Sequence, residues 1–376
     1  MLGTVTVNNL NAYQNSVGEV ERRFLFVGKI EKADLQKKVT PLNANTDLVA
    51  LFGEDDTPST TNLIVTAAQL NAGANWEAAF VGLPAKDFTW QAALDLANTT
   101  NNYEAIVVCD PITTKKDLED ASAKMASVQA KDARYMFAML CAPAIDSEAS
   151  TGQSWADYIA ASGALVSDFV SERVMCIPLL FGNDVGVLAG RLCKRSVTVA
   201  DSPMRTKTGV LLGLGEASLD MDGEAMPETI FSSLDALKLS VPQTYPGEAG
   251  FYWADGNVFD LDTGDYKVIE NLRVVLKACR RVYKVAIPTI ADRALNSSPS
   301  SIARNKQLYM KPLREMATPV RINAVPFPGE IYPPGDSAIE INWQSWTKTI
   351  ITITLHPYNS QKSIVIGVGL DVSQHK

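Results

Sequence analysis

The sequence predicts an α/β protein with a central mixed or mostly parallel sheet body, a second α+β domain towards the C-terminus, and extended β-strand arms at both ends. Three observations carry this prediction. Between residues 23 and 192, short uninterrupted apolar runs such as FLFVG and AIVVC alternate with longer amphipathic stretches. Strands with no polar alternation are buried on both faces, the condition of a parallel sheet covered by helices. After about residue 240, Pro242, Pro246 and Gly247 break the pattern, and two long helical stretches follow. At the end, TIITITL (349–355) and SIVIGVGLDV (363–372) alternate with period two, which marks strands. The chain thus divides into an arm over 1–22, a body over 23–245, a C-terminal domain with a basic helix over 246–345, and terminal strands over 346–376.

The elements follow in order. In the N-terminal arm Thr4, Val5, Thr6 and Val7 alternate before a polar stretch. The body opens with a strand over 24–28, then a short helix over 46–53 with Thr46 as N-cap and a terminal glycine. A longer helix over 60–72 is entered through Ser59-Thr60-Thr61. Strands over 78–83, 105–109, 135–140 and 174–181 then alternate with helices over 89–98, 115–130, 155–170 and 185–192. Beyond the breakers, a hairpin over 250–266 turns at Asp262-Thr263-Gly264, and helices cover 267–284 and 301–316. Pro312 is expected to end or kink the second of these. The run from Pro326 to Gly335 reads as a stiff connector to the terminal strands.

Composition narrows the function classes. At 376 residues, with 46% hydrophobic and 20% charged side chains, the chain is globular and long enough for two or three domains without disulfides. A net charge of -8 disfavours nucleic acid as a partner, and no apolar run approaches the roughly 18 residues of a membrane helix. The five cysteines are widely spaced in apolar runs and contain no CxxC pair, so they read as reduced, buried hydrophobes.

The sequence lacks the common catalytic motifs. His356 precedes a proline and His375 sits beside the C-terminus, so neither has the setting of a triad base. The sequence contains no GxSxG, HExxH or GxxxxGK[ST]. Gly213-Leu214-Gly215 reads as a tight turn or a fragment of a dinucleotide loop lacking its third glycine. The acidic runs 220–224 and 260–265 read as turns or incomplete calcium loops. No catalytic residue, cofactor or metal is assigned, and an α/β body of this kind suggests a scaffold.

Two features remain. On the 267–284 helix Arg273, Lys277, Arg280, Arg281 and Lys284 fall at helical spacing, with Glu270 as the only acid inside it. This stripe is either a solvated face, one paired with acids of the same chain, or a docking stripe for an acidic surface. The terminal strands raise the second question. A full apolar row at a chain end must pair, either in the protein's own sheet or with another copy.

The order of these segments resembles the contractile tail sheath proteins, which polymerise around the tail tube of contractile-tailed bacteriophages and related phage-tail-like particles. The resemblance rests on TDLVALFG, then LIVTAAQLNAGANWEAAFVGL, then GFYWADG. It continues through ENLRVVLKACRRVYKVAIPTIADRALNSSPSSIARNKQLYMKPLREM to the terminal strands, covering most of the chain in order. The chain looks like a short branch, lacking the proline-glycine opening common near the sheath N-terminus. The resemblance implies a six-fold helical homo-oligomer whose terminal arms add strands to sheets of neighbouring subunits. It makes Thr4, Val5, Thr6, Val7, Ile351, Ile353, Ile364, Ile366, Val368 and Leu370 inter-subunit pairing residues, and makes the basic stripe tube-facing. The implied partners are the tail tube, baseplate and tail terminator proteins. Contraction then drives the tube through the host envelope without nucleotide, in a virion assembled in the bacterial cytoplasm. The alternatives are an α/β enzyme with a loop-borne active site and a non-contractile virion structural protein.

Overall fold

Six strands from the first half of the chain pair into one sheet in the order β2-β3-β1-β4-β5-β6. They are β1 (Arg23–Lys29), β2 (Val39–Asn43), β3 (Glu77–Leu83), β4 (Ala105–Pro111), β5 (Phe137–Ala142) and β6 (Val174–Pro178). The structure is a computed structural model, and it describes residues 20–53 and 58–369. All pairings are parallel except β2 against β3, so the sheet is mixed, with an antiparallel edge.

The uninterrupted apolar runs follow from burial on two sides. Leu25, Val27, Ile106, Val108, Ala138 and Leu140 face one core. Their neighbours Phe24, Phe26, Val107, Phe137 and Met139 face the other. The first core is covered by α3 (Trp90–Asn98), α4 (Lys115–Asp132), α5 (Trp155–Val166) and α7 (Thr229–Ala236). The second is covered by α2 (Thr60–Ala72) and α6 (Asp184–Cys193), joined by the short α1 (Leu48–Phe52).

Helix α2 starts where its sequence says, with the Ser59 hydroxyl accepting from Asn62 N. For α1 the cap is Asp47, whose carboxylate accepts from Ala50 N, and not Thr46, whose hydroxyl instead accepts from Asn43 N. The edge strand β2 carries Thr40 and Pro41 and no apolar row, so it gave no strand signal.

The C-terminal half is built around α8 (Ile269–Ala286) and α9 (Pro299–Ala317). A third core gathers Val274 and Ala278 of α8, Tyr309, Met310, Leu313 and Met316 of α9, and Ile331 and Ile339 beyond. Pro312 does not end α9, which runs on to Ala317; the proline ring is buried instead. The expected 250–266 hairpin is also corrected. Its first part, β8 (Tyr252–Trp253), pairs back with β7 (Pro242–Gln243), while Asn257 bridges Val268. The connector after α9 contains its own hairpin, β9 (Val320–Ile322) with β10 (Val325–Phe327).

The first terminal strand is β12 (Thr349–Ile353), paired antiparallel with β11 (Ile339–Trp343). Ile339 lies opposite Ile353 and Ile341 opposite Ile351. Residues 363–369 form no strand within the chain.

Candidate functional site

Helix α8 is the element on which the charged groups of the C-terminal half converge. Its first turns lie between two cores: Ile269, Leu272 and Leu276 pack into the second, Val274 and Ala278 into the third. A helix covered on both sides has no wet face for its charges, so they must be paired where they stand.

Each inward charge finds a partner from a different part of the chain. Glu270 lies 2.7 Å from Lys362 Nζ. Arg273 donates through Nε and Nη2 to both oxygens of Glu104, at 2.7 and 2.9 Å, just before β4. Lys277 donates to Glu330 at 2.6 Å, and Arg280 donates through Nε and Nη2 to Glu21 at 3.0 and 2.9 Å. Burial alone would raise the Glu104 carboxyl. The Arg273 charge and its two hydrogen bonds, with Arg280 and the Arg22 N–H, outweigh it and hold Glu104 well below the usual carboxylate range.

The stripe expected to face a tube is therefore corrected for Arg273, Lys277 and Arg280, which are turned inward and neutralised by carboxylates of the same chain. Arg281 is part-exposed, 3.9 Å from Glu315, and Lys284 is exposed. Sequence reasoning missed the acids because they lie far away in the chain. The visible signal was Glu104, an acid abutting the fully apolar run that becomes β4.

The exposed cations lie one helix further on. Arg304, Lys311 and Arg314 of α9 all face solvent, with exposed Leu308 among them. At positions i, i+7 and i+10 they share one helix face.

The strand-pairing candidates separate into three groups. Thr4, Val5, Thr6, Val7 and Leu370 lie outside the described residues. Ile351 and Ile353 are corrected in part: their pairing in the structure is within the chain, to β11, with their side chains on the third core, and only the outer edge of β12 stays open among the described residues. Ile364, Ile366 and Val368 are exposed at 62, 79 and 93%. Nearby, the β11–β12 hairpin is a sheet of only two strands, with an unpaired edge on each side among the described residues.

At the β1/β4 switch, where a doubly wound sheet takes its ligand, the polar groups are engaged with one another: Asp110 accepts from Lys29 N at 3.1 Å and Thr61 donates to Lys29 O at 3.2 Å. The 213–215 turn is held by Asn183, which donates to Gly213 O and accepts from Gly215 N. Asp220 accepts from Asp222 N and Glu224 N, and Asp260 from Leu261 N and Tyr266 N, so both acidic runs are turns. Among the described residues no cluster could hold a metal, and no helix is long and apolar enough to cross a membrane. His356 is exposed before its proline, and His375 lies outside the described residues. Cys109, Cys141, Cys176 and Cys193 are buried, and Cys279 is half-buried.

Comparison with known proteins matches the whole chain. Residues 2–257 match the family model DUF2586, N-terminal domain, and residues 265–373 match DUF2586, C-terminal domain. A protein of Haemophilus phage HP1 named as a tail sheath protein is 40% identical over 375 residues, 99% of each chain. Among solved structures, the contracted PVC sheath of an extracellular contractile injection system superposes with a TM-score of 0.64 at 13% identity, covering 100% of this chain and 99% of that one. The contracted helical sheath of the anti-feeding prophage gives 0.60 at 15% identity, covering 98% and 99%. A sheath tail protein from Desulfitobacterium hafniense gives 0.52 at 11% identity, covering 94% and 96%. At these identities the structures establish a shared fold.

Proposed function

The chain belongs to the DUF2586 family and with it to the contractile tail sheath proteins, and from that premise we propose that copies of it join by lending their terminal segments to one another. It is a structural subunit of a contractile tail sheath. The copies form a six-fold helical sheath around a tail tube, meet baseplate and terminator proteins at its ends, and assemble in the host cytoplasm. Contraction draws on the stored energy of the lattice and uses no nucleotide.

The observation that carries the strand-lending reading is the apolar row Ile364, Ile366 and Val368, exposed and unpaired, together with a β11–β12 hairpin with two open edges among the described residues. A two-stranded hairpin is marginal alone, and added strands satisfy its edge N–H and C=O groups. The N-terminal arm, with Thr4 to Val7, and residues 363–376 are the strands it would accept. The cations of α9, Arg304, Lys311 and Arg314, with exposed Lys284 and part-exposed Arg281 of α8, are the tube-facing set, because they lie on the adjoining C-terminal helices and are not buried against carboxylates as Arg273, Lys277 and Arg280 are.

Deleting residues 363–376 tests the reading. The truncated chain is expected to stay folded and soluble and to form no tubes by negative-stain microscopy. Tubes from the truncated chain, or its immediate unfolding, would overturn it.

A further inference from the structure

The loop before the apolar row is pinned at two places, residues 356–358 and Lys362. Ile331 bridges Pro357, Tyr332 N donates to His356 O at 2.8 Å, and the Tyr332 and Tyr358 rings stack with centroids 3.9 Å apart. The last hold is Lys362. Its ammonium reaches Asp255 Oδ1 at 2.6 Å, Asp255 Oδ2 at 2.8 Å and Glu270 Oε1 at 2.7 Å. Asp235 stands behind this group, its carboxylate taken by Asn257 at 2.7 Å. Asp235 on α7, Asp255 after β8 and Glu270 on α8 thus converge on one cation, and Glu270 is nearly covered. From Ser363 on, the described residues are exposed.

A nearly covered carboxylate such as Glu270, with Asp255 beside it, is costly unless a cation joins them. Lys362 joins them from the chain position where the pinned loop becomes the exposed row. We propose that Lys362, seated between Asp255 and Glu270, is the clasp that fixes where the C-terminal segment leaves the body and so sets the length of the tether between subunits. The proposal rests on residues 363–376 being the strand lent to a neighbour. Fully extended, that stretch spans roughly 45–50 Å, and an open clasp would add residues 359–362, roughly 13 Å more. A lattice whose spacing is limited by this tether would lose its uniform geometry.

Trypsin reads the clasp directly, because it must draw the Lys362 side chain into its own pocket to cut before Ser363. In the isolated full-length subunit, release of peptide 363–376, followed by mass spectrometry, is expected to be slow. In Asp255→Asn/Glu270→Gln it should be at least tenfold faster, and in the milder Asp255→Asn intermediate, with circular dichroism unchanged in both. Equal release from wild type and both variants would overturn the clasp. Tubes of the double variant are expected to form, with a broader spread of helical rise and twist. A spread identical to wild type would overturn the tether-length role. The trypsin result is independent of assembly, whereas the 363–376 deletion judges strand lending alone.

Discussion

Glu104 and Asp184 are both wholly removed from water, and their surroundings push them in opposite directions. Glu104 shares two hydrogen bonds with Arg273, and its carboxyl is held low. Its contribution to stability is complete above the ordinary glutamate range and is lost as pH falls below it towards the folded value. Glu104→Gln should cost about 3–5 kcal/mol in urea unfolding at pH 7, because it strands a buried guanidinium. The loss should shrink towards pH 3. Asp184 has no cation beside it. One oxygen accepts from Phe181 N, the other is unpartnered, and burial pushes the carboxyl up to about 7. The folded chain therefore binds this proton more tightly than the unfolded one, so this group favours the fold as pH falls from about 7 towards its ordinary value. Asp184→Asn keeps the acceptor for Phe181 N and removes the charge. It should raise stability by on the order of 2 kcal/mol at pH 8 and much less at pH 5, read from melting curves.

At the scale of elements, α2 and α6 touch backbone to backbone. A Cβ on Gly186 would stand 2.0 Å from Ile64 O, and one on Gly190 2.3 Å from Ala68 O. Gly186→Ala is expected to push α6 off α2 and cost about 1–3 kcal/mol, measured by urea unfolding. An unchanged midpoint would show that the helices can part freely. These elements also show what a sequence discloses. Strands β1, β4 and β5 were legible because burial on both faces leaves an unbroken apolar run. Strand β2 was hidden because an edge tolerates Thr40 and Pro41. The α8 stripe was legible as a stripe but not in its direction. Helical spacing shows which residues share a face, whereas Glu104 and Glu21, 169 and 259 residues away, decide that this face is buried.

For the whole molecule, the inward turn of α8 leaves Arg304, Lys311 and Arg314 exposed on α9, and the tube-facing role proposed for them can be tested by charge reversal. Single exposed charge pairs are worth about 1 kcal/mol or less, so only repetition over many subunits makes such a contact hold while remaining breakable and salt-sensitive. Reversing Arg304, Lys311 and Arg314 to glutamate should leave sheath-on-sheath polymerisation intact and give empty contracted tubes. Extended, tube-filled particles from the triple variant would refute the assignment.

The burial of four thiols gives the protein a spectroscopic handle. Cys109, Cys141 and Cys193 sit in the second core and Cys176 in the first, whereas Cys279 alone of the five is half-exposed. Burial raises its thiol too, so it should react slowly with a maleimide. Native subunits should gain one adduct and denatured subunits five, counted by intact mass. Cys279 adjoins Arg280, whose partner Glu21 lies where the N-terminal segment enters the body. A dye there would report, without any engineered cysteine, when a pull on that segment loosens its root.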